Sequence, residues 1–117
     1  MKLNPTRHED HRRTLTEWIS DIPVKRCKII EMKEKGELGN HYHNNSDSVF
    51  FLLKGKGFYK LKPPRKEAKL HRSWMFEGDC IFVPRGVVHT FVLWPGSILL
   101  EACSEPYNGD DEIQYSE

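Results

Sequence analysis

The chain has 117 residues, 38% of them hydrophobic and 30% charged, with a formal net charge of +1. That length fits one domain, and that composition belongs to globular proteins rather than disordered ones. The longest apolar run, residues 49–53, falls far short of the roughly 20 residues of a membrane span, and the small net charge gives no reason to expect nucleic acid. Neither a membrane nor nucleic acid is therefore expected as a partner. The polar opening MKLNPTRHEDHRR lacks the apolar stretch of a secretory leader, so a cytoplasmic location is expected.

The first element in chain order is residues 14–19, where Thr14, Thr16 and Trp18 alternate with Leu15, Glu17 and Ile19. This period-two pattern of β-formers reads as a strand, closed by the turn at Asp21-Ile22-Pro23. Residues 24–32 read as a second strand, with Val24, Arg26, Lys28, Ile30 and Met32 on one face. Lys35-Gly36 breaks it, and His41-Tyr42-His43 forms a short extended piece before the turn formers of residues 44–47. Residues 48–53 form a strand that is apolar on both faces after Ser48, broken by Gly55 and Gly57. Residues 58–61 continue the sheet until Pro63-Pro64. Residues 65–72 read as a polar loop.

Trp74-Met75-Phe76 is short and apolar, and the turn at Glu77-Gly78-Asp79 leads to a strand at residues 80–83. Pro84-Arg85-Gly86 turns the chain again. The last strong strands are residues 87–93 and 97–102, joined by Trp94-Pro95-Gly96, and the segment after Glu105 is expected to fray. Short strands separated by frequent turn signals predict an all-β sandwich or barrel. Cys27, Cys80 and Cys103 are scattered and form no CxxC pair, so reduced thiols are expected rather than a zinc ribbon. Charge is uneven: residues 54–72 carry eight basic residues against Glu67 alone, a basic rim suited to an anionic ligand.

Residues two apart in an extended chain point the same way, so His41 and His43 present both imidazoles to one face. His89 sits on a distant strand whose inward parity is His89, Phe91 and Leu93. Imidazole is a good ligand for zinc, iron, nickel or manganese, so these three histidines form a candidate site for a divalent metal ion. Ser48, Phe50, Leu52 and Phe91 are expected to line the pocket beside it. Asp47 has the parity opposite to Ser48 and is the less favoured fourth ligand. His8, His11 and His71 lie apart and read as surface residues.

Two stretches resemble the paired motifs of the cupin superfamily. GELGNHYHNNSDSVFFLLKGKG matches the first, with HxH at His41 and His43 and the closing glycine at Gly55. GDCIFVPRGVVHTFVL matches the second at Gly78, Pro84, Gly86 and His89. The resemblance spans about residues 14–103. It implies a double-stranded β-helix, or jelly-roll barrel, as one domain over residues 1–117, with residues 104–117 as the frayed tail. In two places the sequence departs from the motifs. Ser48 stands where the metal-binding glutamate belongs, and Leu93 stands where the final asparagine belongs. The expected sphere is therefore three histidines with an open position. If a carboxylate completes it, that group comes from Asp47 or from outside the motifs, for example Glu101.

Three functions follow from the resemblance. HEDHRRTLTEW is similar to the opening of cupin sugar epimerases and ketoisomerases, with Arg13 in place of a glycine. GNHYH resembles a metal-binding cupin domain of nucleotide-sugar epimerases of capsular polysaccharide. These imply an epimerase or isomerase acting on an activated sugar, for which Arg12, Arg13, Lys60 and Trp18 are candidate rim residues. A metal-dependent dioxygenase acting on a small molecule and a non-catalytic ligand-binding cupin are the alternatives. Val49, Phe51 and Leu53, facing out of the barrel, predict a homodimer.

Overall fold

The computed structural model describes residues 2–18, 20–65 and 67–115. Its strands are β1 (Lys2–Leu3), β2 (Thr6–Glu9), β3 (Thr14–Glu17), β4 (Arg26–Glu31), β5 (Gly36–His43), β6 (Ser48–Lys54), β7 (Lys56–Lys62), β8 (His71–Phe76), β9 (Cys80–Val83), β10 (Val88–Leu93), β11 (Ile98–Cys103) and β12 (Glu112–Gln114). They make two five-stranded sheets, ordered β1-β9-β6-β11-β4 and β12-β5-β10-β7-β8, and a separate β2-β3 hairpin. All the described pairings are antiparallel. The jelly-roll expectation holds.

The two sheets face each other across a core of Phe50, Leu52, Ile81 and Leu99 from one side and Tyr59, Met75, Phe91 and Leu93 from the other. Each comes from alternate positions of its strand, so the period-two apolar pattern is what closes the sandwich.

Several boundaries differ from the sequence reading. The strand expected at residues 24–32 is confined to Arg26–Glu31, and Val24 is exposed. The short piece at residues 41–43 is the end of an eight-residue strand. Residues 2–3 and 6–9, all polar but Leu3, form β1 and β2, and β8 begins at His71, inside the expected loop. Ile19, the last residue of the first expected strand, and Lys66, in the expected loop, lie outside the described residues.

The frayed tail is also corrected. Glu112, Ile113 and Gln114 pair with His43, Tyr42 and His41, after a 3-10 turn at Gly109–Asp111. A polar three-residue strand carries almost no pattern of its own. It forms because β5 offers it an unpaired edge. Ser116 and Glu117 lie outside the described residues.

The outward patch is partly covered by the chain itself. Val49 is buried, and Phe51 meets Trp18 edge-on at 4.9 Å, whereas Leu53 remains 45% exposed. All three cysteines are free: Cys27 is exposed, and Cys80 and Cys103 are buried. Among the described residues no helix is long and apolar enough to cross a membrane.

Candidate metal centre

The orientation of His41 and His43 depends on an irregularity in β5. Leu38 packs against the core, so strict alternation would turn Asn40 inward and both histidines outward. The register shows otherwise. Phe91 lies opposite Leu38 and His89 opposite His41, so three steps on β5 match two on β10. Asn40 is the extra residue of a β-bulge, at φ 61°, after Gly39 at φ 98°. A side chain at Gly39 would place its Cβ 2.5 Å from the His89 carbonyl oxygen, so the bulge demands glycine there. Asparagine tolerates the left-handed region better than most residues. The Asn40 carbonyl accepts the Tyr115 N–H at 3.1 Å and the Gln114 side-chain amide at 3.0 Å, which leaves the bulge's exposed acceptor satisfied.

The result is convergence. Ligand atoms of His41, His43 and His89 all lie within 4.8 Å of one another. Their ring centroids are 4.6 to 5.7 Å apart. Each Nδ1 faces an oxygen: Val87 carbonyl at 3.2 Å from His89, Glu112 at 3.5 Å from His41, and Asp111 at 3.9 Å from His43. The Val87 carbonyl is within hydrogen-bond reach and orients His89 with its Nε2 left for the centre, while the two carboxylates stand near the other rings without a hydrogen bond. Burial pushes the His89 imidazole down to about 4, helped by the neighbouring His41, and burial lowers His41 as well. Neutral rings are the form that binds metal. Three imidazoles fit a first-row divalent ion bound at about 2.0–2.2 Å once the rings turn towards it.

Ser48 is buried and faces inward, as its parity requires, and its hydroxyl donates to Glu101 Oε2 at 3.0 Å. The neighbouring strand thus brings a carboxylate to the place where the motif lacks one. Glu101 is buried and pairs with Lys28 Nζ at 2.9 Å, and the Cys103 thiol donates to it at 3.2 Å. Burial alone would raise its pKa, but these partners hold it below the usual carboxylate range. Asp47 stands away from the histidines. It accepts the Arg85 backbone N–H at 2.8 Å and the Arg85 guanidinium at 3.3 and 3.2 Å.

A cavity of about 40 Å³ touches His41, His89, Phe50, Phe91, Lys28 and Glu101. A second, of about 120 Å³, lies against His43, Arg26, Lys28, Tyr107 and Asp111. Leu52 is buried in the core cluster and does not line either cavity. The candidate rim residues are not gathered here. Arg12 and Arg13 lie at the exposed turn of the β2-β3 hairpin, Trp18 packs on Phe51, and Lys60 lines a cleft with Asn40 and Thr90. His8, His11 and His71 are exposed, as expected.

The sequence reading missed Arg26, Lys28, Asp111 and Glu112 as site residues. Arg26 and Lys28 did carry a signal, being charged residues on the strand face that Ile30 and Met32 bury. Glu101 carried the same one, an acid two residues from both Leu99 and Cys103.

Comparison with known proteins agrees with the fold. The sequence model of the family described as "Cupin" matches residues 27–92. An uncharacterized protein of Aquifex aeolicus is 37% identical over 75 residues, which is 63% of this chain and 56% of that protein. Acireductone dioxygenase 1 of Vitis vinifera is 31% identical over 77 residues, 66% of this chain and 39% of that enzyme. The chain thus matches about half, or less, of the length of these relatives. Among solved structures, a TDP-quinovose 3,4-ketoisomerase of Campylobacter jejuni superposes with a TM-score of 0.86 at 17% identity, covering 97% of this chain and 91% of that one. The dTDP-4-dehydrorhamnose 3,5-epimerase of Bacillus anthracis gives 0.81 at 19% identity, covering 95% and 75%. At such identities the likeness shows the shared fold.

Proposed function

The chain belongs to the cupin family, and on that premise we propose that it is a metal-dependent enzyme of small-molecule chemistry. The observation that carries this reading is the convergence of His41, His43 and His89, each with its Nδ1 turned to an oxygen. A divalent ion held there would act as a Lewis acid and, as iron, would serve a dioxygenase. Phe50 and Phe91 keep water from one side of the histidines. Lys28 holds the Glu101 carboxylate charged beside them, in place to accept a proton from a substrate.

Oxidation of a small molecule by a dioxygenase is the favoured activity. The two confined cavities beside the histidines suit a small substrate, and the likeness to acireductone dioxygenase supports the reading. The whole-chain likeness to sugar ketoisomerases supports a second reading, an epimerase or isomerase acting on an activated sugar. We also assign the chain to a homodimer, in which a second copy covers Leu53 and Ile29 on the outer sheet face, and to the cytoplasm, which suits three free thiols.

Elemental analysis tests the centre. The wild type should bind about one ion per chain and His41→Ala almost none; full occupancy in His41→Ala would remove the proposed centre. With the iron-loaded chain and an enediol substrate, oxygen consumption supports the dioxygenase. Interconversion of a keto-sugar nucleotide without oxygen uptake supports the isomerase instead. Sedimentation as a monomer at micromolar concentration would refute the homodimer.

A further inference from the structure

The inward face of β4 carries two cations towards the histidine end of the barrel, and they are in different states. Lys28 is neutralised by Glu101 at 2.9 Å. Arg26 has no carboxylate partner among the described residues. Its Nη2 reaches only the Cys103 thiol, at 3.6 Å, and its guanidinium lies over the Tyr107 ring at 5.4 Å. Its Nε is buried and makes no hydrogen bond among the described residues. Arg26 as a whole is only partly buried, but a buried guanidinium N–H without an acceptor costs stability, and an anionic ligand would supply one.

The place of Arg26 says where that ligand would sit. Arg26 and Lys28 form one wall of the 120 Å³ cavity, and His43 forms another. The two carboxylates on the same cavity are turned to other tasks. Asp111 accepts the N–H groups of Asn44 and Asn45 at 3.0 and 3.1 Å, and Glu112 lies behind His41 Nδ1. The cavity therefore carries the Arg26 cation on its β4 side and the His43 imidazole, one of the three candidate ligands, on its lining as well. Because Lys28 is already paired, one positive charge is on offer, and it has the planar fork that matches a carboxylate.

We propose that Arg26 is the substrate-anchoring residue of this site and that the substrate is a small carboxylate, its anionic end against Arg26 and its reacting end towards the histidines. This deepens the metal-enzyme reading and rests on it for the reacting end alone.

The test is calorimetric titration of the cobalt-loaded chain with glycolate, whose hydroxyl and carboxylate span the two ends. Ethylene glycol and inorganic phosphate serve as the neutral and polyanionic comparisons. Glycolate should bind the wild type, bind Arg26→Gln at least tenfold more weakly, and bind Arg26→Lys with intermediate affinity; ethylene glycol should not bind. Equal glycolate affinity in the wild type and both variants would overturn the proposal, as would tighter binding of phosphate than of glycolate. Cobalt uptake, read separately from its visible absorbance, reports on the metal centre. If no cobalt binds, the metal reading fails, and titration of the metal-free chain still decides the role of Arg26. Weaker binding that depends on Arg26 upholds it, and its absence refutes it.

Discussion

The barrel has two ends built on the same strands with opposite chemistry. Reading only inward positions, β4 runs from Arg26 and Lys28 to Ile30, and β6 from Ser48 to Phe50 and Leu52. Strand β10 runs from His89 to Phe91 and Leu93, and β11 from Cys103 and Glu101 to Leu99. Every one of these strands changes from polar to apolar in the same direction, although β6 does so one inward position earlier than its neighbours, with Phe50 level with Glu101 and Lys28. The apolar end is sealed, with Leu52, Leu93 and Leu99 fully buried, and the polar end holds the cavities. Stability and chemistry are thus divided by depth within one fold. The apolar end can be dense because it hosts no ligand, and the polar end can keep costly buried groups because the other end offsets them.

Breaking the apolar end should have the largest effect. Leu52→Ala should lower unfolding free energy by about 2–5 kcal/mol in a urea titration, the range for a leucine truncated in a packed core, while the folded fraction still binds one metal ion. Lost metal binding in folded Leu52→Ala would show that the ends are not separable.

Mild acid, between about pH 6.5 and 4, should act first on the histidines of the polar end. The folded chain holds His89 neutral down to about pH 4, whereas an unfolded histidine takes its proton near 6.5. Between those values the unfolded chain binds more protons, so the His89 contribution to the stability of the metal-free protein should be constant above about pH 6.5. It should then fall, as pH drops towards 4, by an amount on the order of 3 kcal/mol. His41, also lowered, adds to the effect in the same direction. Thermal melts of the wild type and His89→Gln across this window check it: the variant should show a shallower fall, and parallel curves would mean that His89 does not carry the dependence.

The smallest effect is expected at Asp47, which stands outside both ends. Asp47→Ala removes an exposed ion pair and a turn hydrogen bond with Arg85 and should lower the thermal midpoint only slightly, with the stoichiometry of metal binding unchanged. Loss of metal on this substitution would place Asp47 in the ligand set after all.

How much of this was legible in the sequence follows the same division. The apolar end announces itself through alternation, and His41, His43 and His89 through their spacing within two recognisable motifs. Ser48 and Asp47 took the sides that strand parity assigns to them. What stayed hidden depends on pairing across the barrel. Glu101 gains its meaning only from Lys28 and Ser48 on the strands beside it. Residues 112–114 have no pattern that marks a strand, because their stability comes from the β5 edge rather than from burial of their own side chains. The bulge escaped for a different reason. Gly39-Asn40 reads as a turn signal, and only the pairing with β10 shows that the strand continues through it.

That bulge also sets which changes in chain length β5 can absorb. A single-codon deletion removing Asn40 would leave Leu38, His41 and His43 in plain alternation, all still facing the barrel interior, and would cost the tail its anchor at Tyr115. A substitution that flattened the bulge without shortening the strand would do the reverse, keeping every histidine in the gene while turning two of them to solvent. At Asn40, then, the inward aim of the histidines survives loss of the residue better than an exchange that flattens the bulge, whereas removing a residue on the His41 side of it would reverse that aim.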